Sequence, residues 1–264
     1  MKKFILFISL LILPLEHVQA YADDFCKEGQ NDCTFVLLSE ANNHTETINH
    51  QRAQQEFSPF STFKIANSVI ALDKGLISSS EQVLTYDHHK YPTQNWWPSV
   101  WRLDSYNLSS AFKYSMVPIY RQIATSIGNE DMTGYLQKIS YGNQDITSGL
   151  DDFWLNGSMK ISAVEQVHFL QNLYHNKFSL NAASISQLKE IMLVESTENY
   201  KIYAKTGAGK VNDKSMLGWY VGFVENKKGT HYFAFNVNRK TYAQMKAVRV
   251  EMALNHLRKS GVIY

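Results

Sequence analysis

The chain has 264 residues, a formal net charge of +2, 44% hydrophobic residues and 13% aromatics. That composition suits one compact unit or two tightly packed lobes and argues against a disordered or fibrous chain. A near-neutral balance without a basic stripe of spaced aromatics excludes nucleic acid as an expected partner, and nothing in the sequence marks an obligatory protein partner.

Lys2 and Lys3 precede an apolar run over 4–15, and small residues follow at Ala20 and Ala22. This is the pattern of an export signal, with an apolar stretch too short to span a membrane. A signal peptide over 1–22 is expected, cleaved after Ala20 or after Ala22, leaving a single catalytic domain over 23–264. No later stretch is apolar enough for a membrane helix, so the mature chain is expected to be soluble. The only cysteines, Cys26 and Cys33, lie just beyond the signal. In an oxidising compartment they would close a small disulfide loop, the alternative being two free thiols in a poorly ordered segment.

Residues 33–39 read as a buried strand, and Asn42-Asn43 as a turn leading to a polar strand over 45–50. Helical patterns follow over 61–72, 108–127, 132–139, 163–174 and 185–193, with an aromatic-rich irregular stretch over 86–101 that holds Trp96, Trp97 and Trp101. After residue 200 the period becomes two. Strands are predicted over 201–205, 217–225 and 231–238, with Lys227-Lys228-Gly229 as a hairpin turn, then an amphipathic helix over 243–258. Strands at both ends around a helical middle imply an α+β protein, with a sheet lobe built from both termini, an inserted helical lobe and the site between them.

Ser61-Thr62-Phe63-Lys64 opens the most apolar of these helices. Pro59 stands just before it and Gly75 just after, as helix ends prefer. Lys64 falls one turn above Ser61 on the same face. A serine becomes a nucleophile when a neighbouring base takes its proton, and burial makes a lysine neutral enough to be that base. The tetrad alone is weak, since Ser-x-x-Lys recurs at Ser110–Lys113 and Ser186–Lys189. Its company is stronger. Ser115-Met116-Val117 lies in the helical middle, Tyr141-Gly142-Asn143 follows a helix, and Lys205-Thr206-Gly207 is expected to end the first C-terminal strand.

With Trp154 added, this ordered set resembles the class D serine β-lactamases, the oxacillinases, over nearly the whole mature chain. The resemblance implies a penicillin-recognising serine β-lactamase-like fold, with a central antiparallel sheet lobe from both termini packed on a helical lobe. It implies hydrolysis of β-lactam antibiotics, antibiotic resistance and secretion to a bacterial periplasm. No metal or other cofactor is implied, apart from a carbon dioxide-derived carbamate on Lys64. Ser61 would be the nucleophile and carboxylated Lys64 the general base. Val117 and Leu155 would form an apolar wall, and the Trp154 indole N–H would hold a carbamate oxygen. Ser115 would relay a proton to the leaving nitrogen, with Lys205 supplying positive charge nearby. Thr206 would hydrogen-bond the substrate carboxylate, Gly207 would allow close approach, and the N–H groups of Ser61 and Ala208 would form the oxyanion hole. The carboxylate also calls for a guanidinium at the start of the last helix, for which Arg249 fits better than Arg239. A penicillin-binding transpeptidase or carboxypeptidase and a β-lactam sensor domain are the alternatives. The first usually carries Asn where Val117 stands, and the second usually hangs from membrane spans.

The histidines include no H-E-x-x-H, and His88 and His89 as neighbours cannot both face one site, so they are read as structural or exposed. Gly207-Ala208-Gly209 is no phosphate loop because no helix follows. Asp151-Asp152 reads as a turn or solvated face.

Overall fold

The computed structural model describes residues 25–155 and 157–264, so the expected signal peptide lies outside the described residues. The strands are β1 (Cys33–Ser39), β2 (His44–Ile48), β3 (Val83–Leu84), β4 (Tyr106–Asn107), β5 (Leu193–Ser196), β6 (Tyr200–Asn212), β7 (Ser215–Asn226) and β8 (Gly229–Arg239). The helices are α1 (His50–Ala53), α2 (Lys64–Asp73), α3 (Leu108–Lys113), α4 (Val117–Ile127), α5 (Asn129–Lys138), α6 (Ala163–Tyr174), α7 (Ala182–Met192) and α8 (Tyr242–Lys259). A six-stranded sheet runs in the order β2-β1-β8-β7-β6-β5, and β3 pairs with β4 in a small separate sheet. The pairings in the large sheet are antiparallel throughout.

Alternation along the strands sorts the core onto two faces. Val36, Leu38, Tyr203, Leu217, Trp219 and Val221 join one buried cluster with the helical lobe. Phe35, Leu37, Ile202, Ala204, Tyr220 and Val224 join another with Val248, Met252 and Leu257 of α8. A strand covered on both faces can be apolar without interruption, which is why the middle of β7 is buried at every position. Within the helical lobe α2 is buried nearly all round. Its polar Asn67 and Ser68 bond to α4, Asn67 Nδ2 donating to Tyr120 O at 3.2 Å and Ser68 Oγ lying 2.8 Å from Tyr120 OH, while Asn67 Oδ1 has no partner among the described residues. Each of Ile65, Val69 and Ile70, fully buried, contributes about 1.5–3 kcal/mol.

The structure departs from the sequence expectations at several places. The helix expected over 108–127 is two helices, because Ser115 takes a left-handed backbone (φ +59°) and Pro118 starts a new first turn in α4. β6 runs on to Asn212, so Lys205-Thr206-Gly207 lies inside the strand and does not end it; β7 pairs with it as far as Asn212. The helix expected to end at Leu193 stops at Met192, and Leu193 starts the edge strand β5.

Cys26 and Cys33 are joined by a disulfide with their Cα atoms 5.7 Å apart. Asn49 braces the loop, its Nδ2 donating to Lys27 O, Gln30 O and Cys33 O at 3.0, 2.7 and 2.9 Å. The C-terminal helix closes on the same place. His256 of α8 is 1% exposed, stacks on Phe35 with ring centroids 4.7 Å apart, and accepts from the Cys26 N–H at 3.2 Å. Burial pushes its imidazole from 6.5 down to about 4. The unfolded chain therefore binds a proton that the folded chain refuses, and stability should fall as pH drops from 6.5 to about 4. Thermal melting across this range checks it. His256→Gln, neutral at every pH, should flatten that part of the slope; equal slopes for both proteins would refute the assignment.

Candidate active site

Ser61 sits in a 3-10 turn, Phe60–Phe63, that runs directly into α2 at Lys64. The turn is held from several sides. The Phe60 N–H donates to Trp154 O at 2.9 Å, although Phe60 itself has a left-handed backbone (φ +50°). Thr62 Oγ1 donates to Pro59 O at 2.8 Å and accepts from Gln166 Nε2 at 2.9 Å, and Trp219 Nε1 donates to Ser58 O at 3.1 Å. A nucleophile so fixed loses little entropy when it reacts.

Lys64 Nζ lies 2.9 Å from Ser61 Oγ, and the residue is fully buried. Its amine also lies over the Tyr120 ring, 5.0 Å from the centroid. Burial, then the positive charges of Lys205 and Arg121, hold its pKa well below the usual lysine value. Trp154, also fully buried, stacks on Phe63 with centroids 5.5 Å apart. The Trp154 Nε1 and Ser115 Oγ atoms are buried without a hydrogen-bond partner among the described residues. Val117 and Leu155 are half-buried, Leu155 packing on the helical-lobe core.

Strand β6 closes the site from the sheet side. Lys205 shares the face of Tyr203, toward the helical lobe, and its amine lies 5.4 Å from the centroid of the Phe112 ring. Burial, then the nearby Arg249 charge, lowers its pKa to about 7. Thr206, opposite Tyr220, takes the alternate face shared with Ala204, and Ala208 lies opposite Gly218. Arg249 reaches that strand, Nη1 donating to Gly207 O at 3.1 Å. It comes from the middle of α8 and not from its start, the one respect in which its expected placement differs. Arg239 points elsewhere and pairs with Asp32 at 2.9 Å.

Of Tyr141-Gly142-Asn143, Tyr141 is buried edge-on against Phe63 of the nucleophile turn, with ring centroids 5.4 Å apart, and Asn143 acts at a distance from the nucleophile. Asn143 Oδ1 accepts from the Lys160 N–H at 2.9 Å and the Asn143 N–H donates to Lys160 O at 3.0 Å, pinning the base of the loop that carries Trp154. Tyr120, Gln166 and Arg121 are contributors that sequence reading missed. Tyr120 and Arg121 lie within the turn and a half that follows Val117, which was the available signal.

Residues 26–257 match the family described as the penicillin-binding protein transpeptidase domain. The chain is 40% identical over 215 residues to β-lactamase OXA-48 of Klebsiella pneumoniae, covering 81% of this chain and 78% of that one. It is 35% identical over 203 residues to the methicillin resistance mecR1 protein of Staphylococcus aureus, covering 77% of this chain and 34% of that protein. Among solved structures it is similar to FUS-1 (OXA-85), a class D β-lactamase from Fusobacterium nucleatum subsp. polymorphum. That match has a TM-score of 0.81 and 32% identity, covering 88% of this chain and 94% of the other.

A β-carbon at Gly207 would lie 2.8 Å from Pro59 O and 3.2 Å from Thr62 N, both backbone atoms of the turn that carries Ser61. Gly207→Ala should therefore push strand and turn apart. It should lower kcat/KM by on the order of 10²-fold through misplaced groups. Stability should fall by about 1–3 kcal/mol, read by melting. Unchanged kinetics would show that the close approach is not needed.

Proposed function

The chain belongs to the class D serine β-lactamases, and on that premise we propose how its residues divide the hydrolysis of a penicillin-type β-lactam amide. The reaction passes through a serine acyl-enzyme and inactivates the antibiotic, which gives resistance. The observation that carries the assignment is the fully buried Lys64 amine 2.9 Å from Ser61 Oγ, its pKa held well below the usual lysine value by burial. As Ser61 Oγ attacks the lactam carbonyl carbon, its proton leaves toward Lys64. The carbonyl oxygen gains charge facing the N–H groups of Ser61 and Ala208. The C–N bond breaks, and Ser115 Oγ gives its proton to the lactam nitrogen while the proton held at Lys64 replaces it, with Lys205 beside the path. A water then gives a proton to Lys64 as it attacks the acyl ester, and that proton passes to Ser61 Oγ as the ester C–O bond breaks. Thr206 and Arg249 hold the substrate carboxylate.

Carboxylation of Lys64 on Nζ belongs to this reading. The fully buried amine and the unpartnered Trp154 Nε1 suit a carbamate, with Val117 and Leu155 as its apolar wall. That group would supply an anionic, carboxylate-like general base at the same position. We further read 1–22 as an export segment and 23–264 as one catalytic domain, delivered to the periplasm. No described helix is long and apolar enough to cross a membrane.

Steady-state hydrolysis of a penicillin and of oxacillin, with mass spectrometry on the same mixture, tests the assignment. Many turnovers with a transient adduct on Ser61 are expected. Ser61→Ala should form no adduct, and Lys64→Ala should lose on the order of 10³-fold or more in kcat, the scale of a missing general base. Val117→Asp should lower carbamate occupancy. A persistent one-to-one adduct without turnover would instead make the protein a sensor or a penicillin-binding protein. Full hydrolysis by Ser61→Ala would remove Ser61 as the nucleophile.

A further inference from the structure

Arg121 lies on α4 directly after Tyr120, the residue whose ring covers the Lys64 amine, and four residues after Val117. Its guanidinium is held on two sides. Nη2 donates to Asp152 Oδ1 at 3.3 Å, and Cζ lies 5.8 Å from the centroid of the Tyr91 ring. Tyr91 OH in turn donates to Asp151 Oδ2 at 2.7 Å, and Lys90 Nζ pairs with Asp151 at 3.5 Å. Asp151 and Asp152, read from sequence as a turn or solvated face, thus tie the segment just before Trp154 to α4 and to the loop over 86–101. The Arg121 Nε atom is buried without a partner among the described residues, so the group does not turn freely toward solvent.

We infer that Arg121 is a positioning residue for the Lys64 base. Strapped between Tyr91 and Asp152, it holds a positive charge next to Tyr120, whose ring lies over the Lys64 amine, and ties down the loop that presents the Trp154 indole. The inference rests on the carboxylated-lysine reading and extends it to residues outside the four motifs. Carboxylation joins Lys64 Nζ to the carbon of carbon dioxide, moves one C=O electron pair onto oxygen and releases one proton to water. The nitrogen must start neutral and the product is an anion. A nearby cation favours both, since it disfavours the ammonium form and attracts the carbamate. The charged or titratable groups facing Lys64 are Lys205 on β6, with Arg249 behind it on α8, and Tyr120 and Arg121 on α4. Of the cations among them, Arg121 alone also carries the Trp154 loop. Its side chain is 32% exposed, which weakens its field without removing it.

The test uses the full mature protein and ¹³C-labelled bicarbonate, reading the carbamate signal by NMR against bicarbonate concentration and pH. Arg121→Gln should need about fivefold more bicarbonate for half occupancy, and its carbamate should be lost at a higher pH on acidification. Arg121→Lys, which keeps the charge, should restore most of the wild-type dependence. Asp152→Asn should lower occupancy by loosening the strap. If Arg121→Gln shifts only the melting temperature and leaves the bicarbonate and pH dependence unchanged, the inference is overturned while the carbamate stands. If the unsubstituted protein gives no labelled signal under any condition, the carboxylated-lysine reading falls, and this inference with it.

Discussion

The structure depends on keeping a lysine amine dry. Removing an isolated ammonium from water costs several kcal/mol even after relaxation. A hydrogen bond to a neutral hydroxyl returns at most about 3 kcal/mol. Among the described residues Lys64 has no carboxylate in contact, and its charged neighbours are cations, so desolvation wins and the uncharged amine is favoured. Burial therefore works toward the state that can take a proton from Ser61.

That constraint explains why the site sits at the junction of two cores and not in an open cleft of either. The helical lobe supplies the burial, through α2, Tyr120 and Phe63 stacked against Trp154. The sheet supplies the second cation and the surface that closes on the nucleophile, through Lys205 and Gly207. Gly218 makes room on the other face, since a β-carbon there would meet Met245 Sδ at 2.3 Å and Arg249 Cδ at 3.2 Å and force those side chains of α8 to move. Small residues on both faces let Arg249 and Ser61 approach the same length of β6 from opposite sides.

Much of this was legible in the residues, and the exceptions have physical causes. The Pro59–Gly75 punctuation and the apolar spacing marked α2, and the Ser61–Lys64 interval put both groups on one side of it. The two faces of the sheet followed from period-two patterning. The break at Ser115 was hidden because a left-handed serine carries no propensity signal, although Pro118 was a clue. The length of β6 was hidden because Gly207, Gly209 and Asn212 are poor strand formers, kept in the ladder by β7. The role of Asp152 was invisible for a third reason: its partner Arg121 is joined to it only by the fold.

The sheet order also governs how this chain comes into being. β1 lies between β2 and β8, and Cys33 pairs with Val237, so the first strand of the domain stays half-paired until nearly the last has been made. The latch between Cys26 and His256 waits equally long. An N-terminal fragment emerging from a ribosome or a translocation channel can form the β1–β2 hairpin but not the sheet on which Lys205 is mounted. Assembly of the catalytic machinery is therefore a late event, dominated by contacts distant in sequence and slow for that reason. A partly made chain lacks the strands that close the site, and it gains activity only once its end has arrived.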